Sequence, residues 1–286
     1  MNNDARARKL RGKVLESVQA VADPNRGDKV FADCMRWIGQ LYTAYSCANT
    51  MLILSAVPDA TYVAGYKRWQ ALGRQVRLGQ RGVPILVPIH GAAIEEIDPL
   101  ADEPIIHRPV RGFGVGHVWD ISQTDGPATP NFKVDLGGNM RPIFDAAVAL
   151  AAERGIEVEF RTLPGSVNGV SQVGKIVINS ARTVGVQAQC ILHELGHEAM
   201  HPKESRVRAN RSLHEGEAEA CAWATLQHFC FEGTMENAAC YIRSHHAEPR
   251  DLLGSLERIT ATAHDVVRGL ERHLPPEMRP HALLSP

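Results

Sequence analysis

Aromatic side chains are scarce in this 286-residue chain, at 6%, so its cores have to be built from Leu, Val, Ile and Ala. Long apolar runs are missing too, and nothing approaches the roughly 18 residues a membrane-spanning helix needs. The opening stretch, MNNDARARKLRGKV, is charged and lacks the apolar segment of a secretory leader, so the chain is expected to stay in the cytoplasm and off the membrane. The six cysteines, at 34, 47, 190, 221, 230 and 240, form no CxxC pair and no regular framework. That excludes a disulfide scaffold and points to reduced thiols. Strong net charge is also absent, but the total of -1 conceals an asymmetry. Residues 1–90 hold 13 Lys and Arg against 6 Asp and Glu, a balance of +7, and the remainder comes to -8. A basic front and an acidic back suggest two modules with different partners, the front one a polyanion.

The patterning supports an α+β chain of two domains. Amphipathic helices are predicted over 3–22 and 28–45, separated by Asp23-Pro24-Asn25-Arg26-Gly27. Ser46 is placed to cap a third helix, and a short one is expected over 66–72. Residues 83–89 and 116–121 read as strands, with an acidic, proline-bearing loop between them. A stretch rich in Gly, Pro, Asp and Asn at 122–142 reads as a connection, with the linker proper at 127–140. This divides the chain into domains at 1–126 and 141–286. In the second, a helix (143–154) and strands at 156–163 and 175–179 precede helices at 183–200, 212–231, 234–245 and 250–273. Two apparent phosphate loops fail. In Gly169-Val-Ser-Gln-Val-Gly174-Lys175, Ile176 replaces the hydroxyl residue that would hold magnesium, and a strand follows. Gly112-Phe-Gly114-Val-Gly116 also leads into a strand rather than a helix.

The densest chemistry lies in His193-Glu194-Leu195-Gly196-His197. Histidines four apart on a helix are separated by about 40° and share a face, so both rings can reach one ion. Val184, Ala188, Ile191 and Leu195 form an apolar stripe on the other side. Glu194, next to the first histidine, is the candidate general base for a water whose pKa zinc lowers to about 7. A third ligand is required, and Glu215 in Ser212-Leu-His-Glu215-Gly-Glu217-Ala-Glu219 is the best source. Glu219, one turn on, would orient a ligand histidine, and Glu217 is expected to point away into solvent. His201 and His214 are weaker candidates for ligand or oxyanion donor. Ser212 and Glu215 also fit a capping box, which would commit that carboxylate to the backbone. Two imidazoles, a carboxylate and a water suit Zn2+, with Co2+ or Mn2+ as substitutes. A peptide amide is the first substrate to test.

In the front part, Tyr45, Tyr66 and Trp69 are interleaved with Lys67, Arg68, Arg74, Arg77 and Arg81. Flat faces for bases and cations for phosphates are what a single nucleic-acid strand requires. Tyr45-Ser46-Cys-Ala-Asn49, then Ala64-Gly65-Tyr66-Lys67-Arg68-Trp69, Gln80-Arg81-Gly82-Val-Pro and Val118-Trp119-Asp120-Ile121-Ser122 follow one another in order. Together they resemble the N-terminal domain of ArdC-type antirestriction proteins, over most of residues 30–126. Trp119 departs from that pattern, which has phenylalanine there. From about residue 141 the chain is similar to the zincin domain of that family and to the metallopeptidase domain of ImmA/IrrE proteins.

The resemblance implies an α+β domain that binds single-stranded DNA, followed by a zincin domain with a small sheet and an HExxH helix. It adds Asn49 to the expected DNA contacts and supports Glu215 as third ligand. It also implies protection of incoming plasmid or phage DNA from restriction. Two alternatives stand beside it. One is a DNA-coating protein with a silent zinc domain, and the other is a regulatory protease that cleaves a repressor.

Overall fold

A computed structural model describes residues 3–23, 27–40, 45–96, 105–127, 139–165, 167–172, 174–201, 211–231, 242 and 249–279. The fold is mixed α+β. In chain order the front half runs α1 (Asn3–Ala22), α2 (Gly27–Gln40), α3 (Cys47–Ala56), β1 (Val63–Gly65), α4 (Tyr66–Ala71), β2 (Gln75–Val76), β3 (Val83–His90), β4 (Ile94–Glu96), β5 (Ile105–His107), β6 (Val110–Asp120) and β7 (Thr124–Asp125). The back half continues with α5 (Arg141–Glu153), β8 (Glu157–Arg161), β9 (Gly169–Gln172), β10 (Lys175–Asn179), α6 (Val184–Met200), α7 (Arg211–His228) and α8 (Pro249–His273). No helix among the described residues is long and apolar enough to cross a membrane.

The front sheet has the order β1-β6-β3, antiparallel throughout. Strand β6 begins six residues before the predicted start at 116. The alternating Gly112, Gly114 and Gly116 look like a break in the sequence, yet they lie opposite Ile89, Val87 and Ile85 on β3. A methyl on Gly116 would meet the Val87 side chain at 2.6 Å, so this glycine makes room for an aliphatic neighbour across the ladder. The acidic loop carries a two-stranded ribbon, β4 with β5, and its centre at 97–104 lies outside the described residues. Strand β7, inside the stretch expected to connect the halves, pairs with β2 and closes the front.

Helix α3 starts where predicted, with the Ser46 side chain accepting the Asn49 amide at 3.3 Å. Its first amides, those of Cys47 and Ala48, donate to the Glu257 carboxylate of α8, both at 3.1 Å. A helix N-terminus favours an anion, and here the anion comes from the far end of the chain.

The back sheet has the order β8-β10-β9, with β10 parallel to β8 and antiparallel to β9. The stretch that mimics a phosphate loop is the β9–β10 hairpin, with Gly174 at a φ of 72°. Ile176 and Ile178 of β10 pack with Ala147 and Leu150 of α5, Ile191 and Leu195 of α6, and Leu270 of α8. Most of the predicted helix at 234–245 lies outside the described residues.

One apolar cluster joins the halves. Val14, Val18, Phe31, Met35 and Ile38 of α1 and α2 pack with Cys221 and Ala224 of α7 and with Leu252, Leu256 and Ile259 of α8. Helices α2 and α7 approach so closely at Gly39 that a methyl there would stand 2.3 Å from the Ala224 carbonyl oxygen. The buried His228 ring donates to the Gly39 carbonyl at 3.0 Å.

Candidate functional site

Helix α6 begins at Thr183, which accepts the Val186 amide, and buries Ala188, Ile191, Leu192 and Leu195. That stripe turns His193 and His197 the other way, as the spacing predicts. Helix α7 crosses at small residues, where a methyl on Gly196 would meet Ala218 Cα at 3.4 Å. The close crossing brings Glu215, one turn into α7, onto both rings. Its Oε2 lies 3.2 Å from His193 Nε2 and 3.4 Å from His197 Nε2, and the two Nε2 atoms are 3.1 Å apart. Three lone-pair donors thus converge in a triangle, the cluster among the described residues able to hold a metal. Bonds of about 2.0–2.1 Å at tetrahedral angles place ligand atoms about 3.3–3.4 Å apart, so the triangle has the dimensions of a divalent-ion site.

The electrostatics fit convergence on one cation. The His193 hydrogen bond, with His197 close beside it, holds the Glu215 carboxyl far below the usual carboxylate range, against the effect of burial. Burial pushes His193 down, but the Glu215 hydrogen bond and the charges of Glu194, Glu215 and Glu219 raise it above its ordinary value. Glu219 therefore sits near enough to act on His193. Glu194 is buried and lines the cavity beside the triangle.

Glu217 corrects the sequence reading. It is 1% exposed rather than solvated. Its Oε2 lies 2.7 Å from His201 Nε2, and its Oε1 accepts from Ser255 Oγ and Arg258, both at 2.5 Å. His201 in turn places Nδ1 3.2 Å from His197 Nδ1. With both ring nitrogens engaged, His201 is available neither as third ligand nor as oxyanion donor. His214 stacks on His201 at 4.1 Å. The sequence held the acid but not the packing of α8 that buries it.

The expected nucleic-acid residues divide in two. Trp69 is 0% exposed, packs edge-to-face on Tyr62 at 5.1 Å and donates its indole N–H to the Trp119 carbonyl at 3.0 Å. It offers no face to a base, and its assignment to DNA is withdrawn. Asn49 is likewise structural: its amide pins β3 by bonding Leu86 N–H at 2.8 Å and Leu86 C=O at 2.9 Å. Tyr45 is half-buried and donates to the Val63 carbonyl at 3.1 Å. Arg74 is spent on Thr124, at 2.9 Å to Oγ1 and 3.0 Å to the carbonyl, and on the carbonyls of Gly126 and Pro127. Tyr66, Lys67, Arg77 and Arg81 are exposed and Arg68 is half-buried, along α4 and the turn between β2 and β3. Arg77 also donates to the Ser122 carbonyl and reaches Asp125 at 3.4 Å.

Residues 9–100 match the family model for the N-terminal domain of anti-restriction factor ArdC. The chain carries an ArdC-type N-terminal domain. The metal-free crystal structure of antirestriction ArdC protein from R388 plasmid shares the fold, with a TM-score of 0.55 and 19% identity over 89% of this chain and 98% of that one. The Mn(II)-bound structure of the R388 protein gives 0.51 and 18% identity, over 90% and 97%. No curated protein sequence matches the chain.

The family-model match ends at residue 100, so the site on α6 and α7 is described by its own geometry. A cavity of about 760 Å³ opens over the triangle. His193, Glu194, His197 and Glu215 form part of its lining, Val167 before β9 and Val170 within it form an apolar wall, and Arg211 and His214 stand at the start of α7. Such a cleft is roomy enough for a peptide segment.

Proposed function

We propose that this ArdC-type chain protects incoming DNA from restriction, binding single-stranded DNA through residues 1–126 and carrying a metal-dependent peptidase centre in residues 141–286, with 127–140 as connector. The observation that carries the enzymatic part is the triangle of His193, His197 and Glu215, with Glu194 beside it at the cavity wall. Two imidazoles and a carboxylate are one of the donor sets of catalytic zinc sites. The Mn(II)-bound R388 protein supports a divalent ion in this fold. A zincin domain of the ImmA/IrrE kind fits the HExxH helix and the later glutamate. The place of action is the cytoplasm.

A bound divalent ion supplies Lewis acidity toward a carbonyl and acidifies water. The rest belongs to the chain. Glu194 takes the proton of the attacking water and returns it to the departing amine. His214, at the cavity edge, is positioned to donate to the polarised carbonyl oxygen. On the nucleic-acid side, Tyr66 supplies a stacking face, and Lys67, Arg68, Arg77 and Arg81 meet phosphates.

Metal content per chain tests the centre: about one ion in the native protein and none in His193→Ala. Glu194→Gln is expected to keep the ion and the fold while losing hydrolysis of a casein-derived peptide mixture, and undiminished hydrolysis would refute the base role. For DNA, anisotropy titrations with labelled single strands should give a log K against log salt slope of about -0.7 per phosphate contacted. Equal affinity for duplex would sink the single-strand reading.

A further inference from the structure

We infer that Glu217 and His201 are positioning residues that fix the tautomer of His197 and so prepare its Nε2 to hold an ion. This rests on the metal reading above. His197 Nε2 faces the other two members of the triangle, and to hold an ion there it must offer its lone pair, so the form of the neutral ring ready for the ion carries its proton on Nδ1. That N–H points at His201 Nδ1, 3.2 Å away, which must accept it. His201 then carries its own proton on Nε2 and donates it to Glu217 Oε2 at 2.7 Å. The carboxylate has no proton to offer and is held ionised on its other side by Ser255 and Arg258 of α8. With His197 in that form each link has one direction, and the order runs from Arg258 through two buried side chains to the atom that binds the ion. His201 and Glu217 are 3% and 1% exposed, so water is not at hand to substitute for a lost partner.

Glutamine at 217 would reverse the chain. Its single oxygen would take the Ser255 and Arg258 donors and turn its NH2 toward His201. His201 would then have to accept at Nε2 and donate from Nδ1. That moves the His197 proton to Nε2, the atom required for the ion.

The test uses the full-length chain with 15N-labelled histidine, metal-free, at pH 8. Long-range proton–nitrogen spectra should show His197 protonated at Nδ1 and His201 at Nε2. A native His197 protonated at Nε2, or a doubly protonated ring, overturns the inference. In Glu217→Gln the His197 proton should move to Nε2, and chelator competition should show Zn(II) and Mn(II) affinity falling 10- to 100-fold. A purely structural role would lower the unfolding temperature without moving the proton, and affinity within twofold of native also overturns the inference. If Glu217→Gln does not fold, Arg258→Gln, at a half-exposed position, should weaken both metals in the same direction, and no weakening counts against the relay. A native chain that takes up neither metal defeats the metal reading itself, whereas uptake with the wrong tautomers defeats only the relay.

Discussion

Glu215, Glu217 and Glu219 alternate along α7, and the helix sends them to different places. Glu215 faces the histidines, Glu219 lies near enough for its charge to act on His193, and Glu217 turns toward α8 and loses its water. Burial pushes the Glu217 carboxyl up, but His201, Ser255 and Arg258 outweigh it and lower the group from 4.5 to about 2. A carboxyl depressed in the fold stabilises it above its unfolded pKa, and that contribution fades as pH falls through the folded one. Native stability should therefore drop between about pH 4.5 and 2 by more than that of Glu217→Gln, as thermal melts across this range would show. Trp69 makes the same lesson quantitative on the front side. Trp69→Ala should cost about 3–5 kcal/mol of stability in denaturant melts. Lys67→Ala and Arg81→Ala, at exposed positions, should leave stability within about 0.5 kcal/mol and weaken DNA binding instead.

At the scale of elements, helix crossings decide what the site can be. Small residues at 196 and 218 let α7 approach α6, and without that approach Glu215 would stop short of the rings. Gly39 does the same for α2 and α7. Gly39→Ala would force a methyl against the Ala224 carbonyl and should cost about 1–3 kcal/mol, read from the denaturation midpoint. Helix α8 serves two neighbours at once. Glu257 satisfies the first amides of α3, and the next residue, Arg258, holds Glu217.

For the whole molecule, the apolar cluster crosses the proposed boundary between the DNA module and the peptidase. Phe31, Met35 and Ile38 have Cys221, Ala224 and Leu256 as neighbours, so the front half made alone would expose a broad apolar face. Residues 1–126 expressed by themselves should lack a cooperative unfolding transition, whereas the full chain should melt in one. Calorimetry on both would check this, and a sharp, independent transition for the fragment would contradict it.

The sequence by itself determined the elements whose signals are local: α1, the start of α3 at Ser46, α6 with its paired histidines, and the reach of α8. It also singled out His193 and His197, because a four-residue spacing puts both rings on one helix face, whereas which of the three acids of α7 joins them in a cluster able to hold a metal was decided by the crossing of α6 and α7. The start of strand β6 was hidden because its alternating glycines carry no hydrophobic signal, and the reason for Gly116 lies across the ladder in Val87 of β3. The fates of Glu217, Trp69 and Asn49 were decided only by tertiary structure. Helical phase tells which way a side chain leaves its own helix, and only packing tells whether water or α8 waits on that side.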